Sequence, residues 1–166
     1  LTKAGGQRII SSGETLRSGD RMALRLEVDQ LAYVYVAQAS ADGTSALIFP
    51  RSGDEQLKPG AAVRVPPVGQ WFKLDKDTGQ ENLFVYASRA PIADPVLQAR
   101  IKSDADATKA AAAAAVKPKP AKPKRSGSPA GLTVATRGLE LDDSAPAPAV
   151  DKSGVSTVRF SIQHAK

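Results

Sequence analysis

The fold is decided by two neighbouring stretches, Arg21 to Val28 (RMALRLEV) and Leu31 to Ala39 (LAYVYVAQA). In the first, every second residue from Met22 to Val28 is apolar, which is the period of a strand with one buried face. The second is β-branched, aromatic and apolar on both faces, a pattern typical of a central strand that is covered on two sides. The pair therefore predicts a β-sheet built around Leu31 to Ala39.

Further strands follow at short intervals. Asp42-Gly43 predicts a tight hairpin turn, which is followed by a return strand over Ser45 to Phe49. Beyond a polar stretch, the pattern predicts three more strands, over residues 62–65, 70–74 and 81–88. Many short strands at this spacing favour an all-β fold, a small antiparallel β-sandwich or barrel, over βαβ units.

The pattern changes after Pro91. Asp94-Pro95 is a good helix start, and Val96 to Val116 has helix-forming composition that ends in a run of alanines. Because alanine offers little surface to bury, we expect the second half of this helix to be exposed and fraying. Lys117 to Arg125 (KPKPAKPKR) then alternates lysine with proline, which predicts an extended polyproline-II spacer.

The C-terminal residues return to strand periodicity. In Val155 to His164, the apolar residues Val158, Phe160 and Ile162 face one way and polar residues face the other. We expect this strand to complete the sheet of the first domain. The prediction is a β-sandwich domain over residues 1–94, a helix and Lys/Pro arm over 95–131, and a C-terminal segment over 132–166 whose strand, 155–164, joins the sheet.

Charge is unevenly distributed. The net charge of +6 comes from 23 Lys and Arg against 17 Asp and Glu. Residues 1–94 carry 11 of each sign, residues 95–131 carry 8 basic against 2 acidic, and residues 132–166 carry 4 of each. The excess therefore lies in the arm, which argues against a basic nucleic-acid groove on the predicted β-domain.

Enzyme machinery is scarce in the sequence. There is no cysteine, and no apolar run approaches the ~18 residues of a membrane span. The single histidine, His164, has no second histidine with which to hold zinc, and phosphate-loop and nucleophile-elbow motifs are absent. Asp77-Thr78-Gly79 matches the aspartic-protease triplet, but its charged surroundings favour a hairpin turn. We therefore predict a non-enzyme with no catalytic, cofactor-binding or metal-binding residues.

Aromatic and basic residues supply the candidate binding groups. Tyr33 and Tyr35 share one strand face and suit core packing better than base stacking, since their strand has no basic residues. Trp71-Phe72, next to Gly69, reads either as core or as an aromatic patch for a partner. The predicted partner-binding residues are Trp71, Phe72, Lys117, Lys119, Lys122, Lys124 and Arg125.

Several short motifs resemble those of a bacterial family known as DUF4384, a domain of unknown function, over about residues 13–92. They are Ser18-Gly19-Asp20, Ala32-Tyr33-Val34-Tyr35-Val36, Phe49-Pro50, Pro66, Gly79-Gln80-Glu81 and Ala87-Ser88-Arg89-Ala90-Pro91. The resemblance implies a β-rich, non-catalytic accessory or recognition module of the kind found in envelope lipoproteins, in secreted proteins and beside kinase or peptidase domains. It implies no catalytic residues.

Together these features predict a structural or adaptor subunit of a bacterial envelope or extracellular assembly, which docks through its β-domain and basic arm. Its partners would be other protein subunits; we expect no small-molecule substrate and only indirect membrane association. The expected location is periplasmic, outer-membrane-associated or secreted. The alternative is binding of a polyanion, either nucleic acid or an envelope polymer, through the Lys/Pro arm.

Overall fold

The computed structural model describes residues 10–74, 78–115, 135–136, 139–140, 149–151 and 153–166. This part of the chain is mostly β-structure and contains one helix, α1 (Asp94–Ala115). Its strands are β1 (Thr15–Arg17), β2 (Arg21–Met22), β3 (Leu24–Glu27), β4 (Ala32–Ser40), β5 (Ser45–Phe49), β6 (Gln56–Leu57), β7 (Ala62–Val65), β8 (Phe72–Lys73), β9 (Gly79–Ser88), β10 (Ala135–Thr136), β11 (Leu139–Glu140), β12 (Ala149–Val150) and β13 (Ser156–Ala165).

Most of the longer strands form one mixed sheet in the order β1-β13-β9-β4-β5, with β12 paired to β13 and β6 paired to β4. The β1–β13 pair is parallel, whereas β13–β9, β9–β4 and β4–β5 are antiparallel. The β4–β5 hairpin turns at Gly43, whose φ of 93° suits glycine. Here Asp42 Oδ1 accepts a hydrogen bond of 2.7 Å from Thr44 N, as expected for an Asp-Gly turn.

Strand β13 lies inside this sheet. It pairs with β9 from Ser156 opposite Ala87 to His164 opposite Gly79, while its other edge pairs with β1. The alternation of apolar and polar residues in the sequence explains why this strand joins the sheet, because Val158, Phe160 and Ile162 are all buried on one face. The C-terminal segment thus returns to the sheet formed by the first ninety residues.

The first hydrophobic core lies between one face of this sheet and two short antiparallel ribbons, β2–β8 and β3–β7. Its members are apolar side chains from strands on both sides, including Leu24, Leu26, Val34, Val36, Val65, Leu83, Val85, Phe160 and Ile162. The alternating residues of Arg21 to Val28 supply the ribbon side, as their period predicts. At about 25 cal/mol per Å² of apolar area, burial of this kind is the main stabilising contribution to the fold.

The second core lies on the opposite face of the sheet, under α1. Leu97, Ile101 and Ala105 recur every four residues and are all at most 4% exposed. They pack against an aromatic surface that includes Tyr35 and Tyr86. The helix therefore covers the sheet as a layer of the body.

These observations correct part of the predicted architecture. The fold is mostly β, as expected, but it is neither all-β nor purely antiparallel, because α1 covers one sheet face and β1 runs parallel to β13. The second half of the helix is largely exposed, as expected, although Ala105 at its midpoint and Thr108 are buried. Small side chains suffice at these two positions because they lie where the helix packs on the sheet. The division into 1–94, 95–131 and 132–166 stays a prediction.

A polar contact joins α1 to the chain that follows β12. The guanidinium of Arg100 contacts both the carboxylate of Asp151 and the hydroxyl of Ser153. Asp151 Oδ1 also accepts from the backbone N–H of Ser153, at 2.8 Å, and from that of Val155. Hydrogen bonds from Ser153 and from Arg100 lower the pKa of Asp151. We call Arg100, Asp151 and Ser153 the clasp.

Candidate docking loop

Residues 66–71 form a loop between β7 and β8 that stands out from the ribbon layer. Leu24 pairs with Val65 and Met22 pairs with Phe72, so the whole loop lies opposite a single residue, Ala23. Because the facing strand continues without interruption, the loop is pushed outward while both of its ends remain fixed. We call residues 66–71 the docking loop.

The docking loop is held in shape by Arg64, the residue before the end of β7. Arg64 Nη1 donates to the carbonyl oxygens of Pro66, Pro67 and Gln70, at 2.6 Å for Pro67 and 2.9 Å for Gln70. A further turn hydrogen bond of 3.0 Å runs from Gln70 N to Pro67 O. A charged donor shared among three loop carbonyls fixes the backbone before any partner arrives, and such preorganisation lowers the entropy lost on binding.

The loop presents apolar side chains to solvent. Val68 is 88% exposed and Trp71 is 39% exposed, and the Arg64 guanidinium lies 4.4 Å from the centroid of the Trp71 ring. This cation–π contact holds one face of the indole in place. Phe72, by contrast, is half-buried against the first core. Of the two readings open for Trp71-Phe72, the structure gives an exposed aromatic at Trp71 and a core-facing one at Phe72.

Basic residues lie beside the docking loop. Arg51 Nη2 donates to Gln70 Oε1 at 3.4 Å, and Arg21 lies directly opposite Lys73 in the β2–β8 ribbon. Like charges directly opposite each other in a strand pair are destabilising. Across the described residues, no carboxylate forms an ion pair with these groups or with Arg64. The loop thus combines an apolar tip with a positive surround.

Sequence reasoning missed Arg64 and Val68. Arg64 looks like an ordinary outward residue of β7, opposite Arg25, and its turn towards the loop carbonyls depends on three-dimensional geometry. Val68 could have been found, since an apolar residue within Pro-Pro-Val-Gly has no strand or helix in which to be buried.

The other predicted site residues fall in two groups. Five of them lie outside the described residues: Lys117, Lys119, Lys122, Lys124 and Arg125. Asp77 of the protease-like triplet does too, while Thr78 is exposed and Gly79 begins β9. His164 is 5% exposed, and the distance from its Nε2 to Ser18 Oγ is 3.0 Å. It is therefore a buried histidine with a polar partner.

The two tyrosines of β4 pack as expected. Tyr35 is 2% exposed and Tyr33 is half-buried, both in the core under α1. Tyr35 Oη donates to Asp54 Oδ1 at 2.6 Å and accepts from Ile92 N at 3.0 Å. Burial and the hydrogen bond to Asp54 raise the pKa of Tyr35 to about 12. The Tyr35 hydroxyl therefore has a structural role, and its buried ring has no exposed face on which a base could stack.

Carboxylates elsewhere also have structural partners. Tyr86 Oη donates to Asp104 Oδ2 at 2.6 Å, and burial together with this bond raises the pKa of Tyr86. Glu81 Oε2 accepts from Gln38 at 3.0 Å and from Ser40 at 2.9 Å. Over the described ranges, histidine and acidic side chains form no group of three or more that could hold a metal ion. In the same ranges, no helix has the length and apolarity needed to cross a membrane.

Comparison with known families adds one finding. The family model for DUF4384, a domain of unknown function, matches residues 15–91. The chain contains a DUF4384 domain. This confirms the family suggested by the motifs and nearly the same boundaries. The comparison with curated proteins found no match, and neither did the comparison with solved structures.

The motif residues of the DUF4384 domain have structural roles here. Gly19 has a φ of 92°, and its N–H donates a hydrogen bond of 2.9 Å to Leu74 O. Asp20 Oδ2 accepts a hydrogen bond of 2.8 Å from Arg17 N. Both contacts fix the turn between β1 and β2. The docking loop also lies within the DUF4384 domain, whereas α1 and β13 lie beyond its matched residues.

Proposed function

We propose that this protein is a non-catalytic adaptor or structural subunit of a bacterial envelope or extracellular assembly. It binds another protein subunit through the docking loop of its sandwich-like β-body. The single observation that carries the proposal is the exposed Val68 and Trp71 on a loop whose backbone Arg64 holds rigid. Exposed aromatic anchors on preorganised backbone are typical of interface hot spots.

The partner's chemistry follows from the loop's surroundings. An apolar tip needs an apolar pocket, and the basic groups Arg51, Arg21 and Lys73 favour Asp and Glu on the rim of that pocket. We therefore propose a protein partner with an apolar pocket bordered by acidic residues. The envelope or extracellular location rests on the kinds of protein that the family resemblance implies.

The non-catalytic part of the proposal is supported by the structural contacts of four described carboxylates. Asp54 and Asp104 accept from buried tyrosines, Glu81 accepts from Gln38 and Ser40, and Asp151 belongs to the clasp. Each has a structural partner, and general acid–base catalysis needs a carboxyl that faces a substrate.

A photo-crosslinking experiment tests the proposal. A photoreactive amino acid replaces Val68 in the chain produced in its native host, and the crosslinked protein is identified and purified. The matched control places the same amino acid at Val96, which is 48% exposed on α1. We expect a specific partner from position 68 and not from position 96. Equal products from both positions would contradict a docking loop.

Affinity for the purified partner gives a quantitative test. Trp71→Ala is expected to weaken binding about 30-fold, since truncation of an interface tryptophan costs ~2 kcal/mol or more. Leu31→Ala is the control, because Leu31 is 46% exposed and lies outside the loop. Unchanged affinity for Trp71→Ala would reject the loop as the interface.

Polyanion binding through Lys117, Lys119, Lys122, Lys124 and Arg125 is the second candidate function, carried by five positive charges in nine residues. It predicts micromolar binding at low salt that is lost by ~0.2 M salt. Changing the five residues to glutamine should abolish this binding, and retained affinity would refute it.

A further inference from the structure

A buried asparagine lies on the sheet face that α1 covers in part. Asn82 of β9 is 0% exposed and lies between Ala39 of β4 and Ser161 of β13. Its Oδ1 accepts from Arg159 Nε and from Ser161 Oγ, both at 2.9 Å. Because an arginine Nε can only donate, the amide oxygen must face Arg159, and the orientation of the amide is fixed.

The nitrogen of the same amide has no acceptor. Asn82 Nδ2 is buried, and no group within the described residues accepts a hydrogen bond from it. A buried donor of this kind costs roughly 1–3 kcal/mol of stability, so its retention calls for an explanation beyond packing.

Arg159, which Asn82 holds, points to such an explanation. Its guanidinium lies 5.8 Å from the centroid of the Phe84 ring and is anchored through Nε. Within the described ranges, no hydrogen bond involves the edge formed by Nη1 and Nη2, and no carboxylate forms an ion pair with it. Arg159 as a whole is half-buried, and the hydrogen bond from its Nε to Asn82 holds the guanidinium in place.

We propose that Arg159, positioned by Asn82 and Phe84, is a binding site for a carboxylate group. The two free Nη nitrogens form a planar pair of donors that matches the two oxygens of a carboxylate. The site offers one fixed positive charge, which suits a monoanionic carboxylate better than a dianionic phosphate. The ligand class is a small carboxylate or an acidic side chain or C-terminal carboxylate of a peptide, and the site is separate from the docking loop.

Titration followed by the NMR signal of the Arg159 Nε–H group tests the proposal. Sodium acetate is the probe, sodium chloride at equal ionic strength is the reference, and inorganic phosphate is the competing anion. We expect a saturable shift with acetate at millimolar Kd, as befits so small a ligand. A linear shift equal to that with chloride would overturn the site, and tighter binding of phosphate would overturn its assignment to carboxylates.

Two variants locate the binding. Arg159→Lys keeps the charge but loses the planar pair of donors, and we expect at least tenfold weaker acetate binding, measured on nearby backbone amide signals. Arg25→Lys is the matched control, since Arg25 is already paired with Glu27 at 3.2 Å, and it should bind acetate like the unchanged protein. Equal affinity in Arg159→Lys would overturn the proposal. Should that variant fail to fold, the titration of the unchanged protein still decides the question.

Discussion

The hydroxyl groups of Tyr35 and Tyr86 differ in their hydrogen-bond partners, although both belong to buried rings on the same face of the sheet. Tyr86 Oη donates to Asp104 only, and that carboxylate is partly exposed to water. Tyr35 Oη also accepts from the backbone N–H of Ile92, a buried group just before α1. The Tyr35 hydroxyl therefore anchors the entry to the helix, whereas that of Tyr86 joins the helix to the sheet from the side.

Tyr35→Phe should accordingly cost more stability than Tyr86→Phe. The first leaves the buried Ile92 N–H without an acceptor, at roughly 1–3 kcal/mol, while the second leaves a carboxylate that water can solvate, at about 1 kcal/mol or less. Urea unfolding of both variants beside the unchanged protein measures the difference. A larger loss in Tyr86→Phe would show that the Ile92 N–H has another acceptor.

Helix α1 is tied to the body by two kinds of contact. Its apolar stripe packs on β4, β5 and β9, and the clasp joins Arg100 to the residues that precede β13. In the clasp, the pKa of Asp151 lies below its ordinary value of 3.8 because Ser153 and Arg100 favour the charged carboxylate. A carboxyl whose pKa is lowered by folding stabilises the fold above the unfolded pKa and ceases to do so in acid.

The clasp should therefore weaken as the pH falls below about 4. Over this range we expect the unchanged protein to lose more stability than Asp151→Asn. The difference between their free energies of unfolding should therefore become smaller as the pH falls. Urea unfolding of both proteins at a series of pH values is the measurement. Asp106→Asn, an exposed change on α1 with the same effect on net charge, serves as the control. A constant difference between the unchanged protein and Asp151→Asn would contradict the role given to the clasp.

The strands could be predicted from the sequence more readily than the packing of the helix or the roles of the binding residues. Alternation marks Leu24, Leu26 and Phe160 as inward-facing because a strand's period depends only on the residues within it. The burial of Ala105 depends on how closely α1 approaches the sheet, and local pattern does not encode that distance. The same holds for Arg64 and Arg159, whose roles come from partners distant in the chain.

At the scale of the whole molecule, the sheet extends past the matched DUF4384 residues. Strand β13 separates β1 from β9, so β1 has its place in the sheet only through β13. The apolar residues of β13 also belong to the first core, together with Leu24 and Val34. One distant strand thus contributes both hydrogen bonds and packing to the body.

A chain that stops after Gly154 should therefore lose cooperative folding, since it lacks the buried Val158, Phe160 and Ile162 and the partner of two strands. Circular dichroism and urea unfolding measure the loss. A synthetic peptide of residues 155–166 added to the shortened chain should restore the transition. A shortened chain that unfolds cooperatively on its own would mean that β9 and β1 find other partners.

The position of β13 also sets an order of events during synthesis. The ribosome completes β9 at Ser88, but the strand that covers its free edge begins only at Ser156. Until that strand emerges, the nascent polypeptide exposes an unpaired strand edge and an unfilled interior, which are features that make partly folded chains prone to aggregation. Completion of the sheet is thereby postponed until the whole intervening segment, from Arg89 to Val155, has been synthesised.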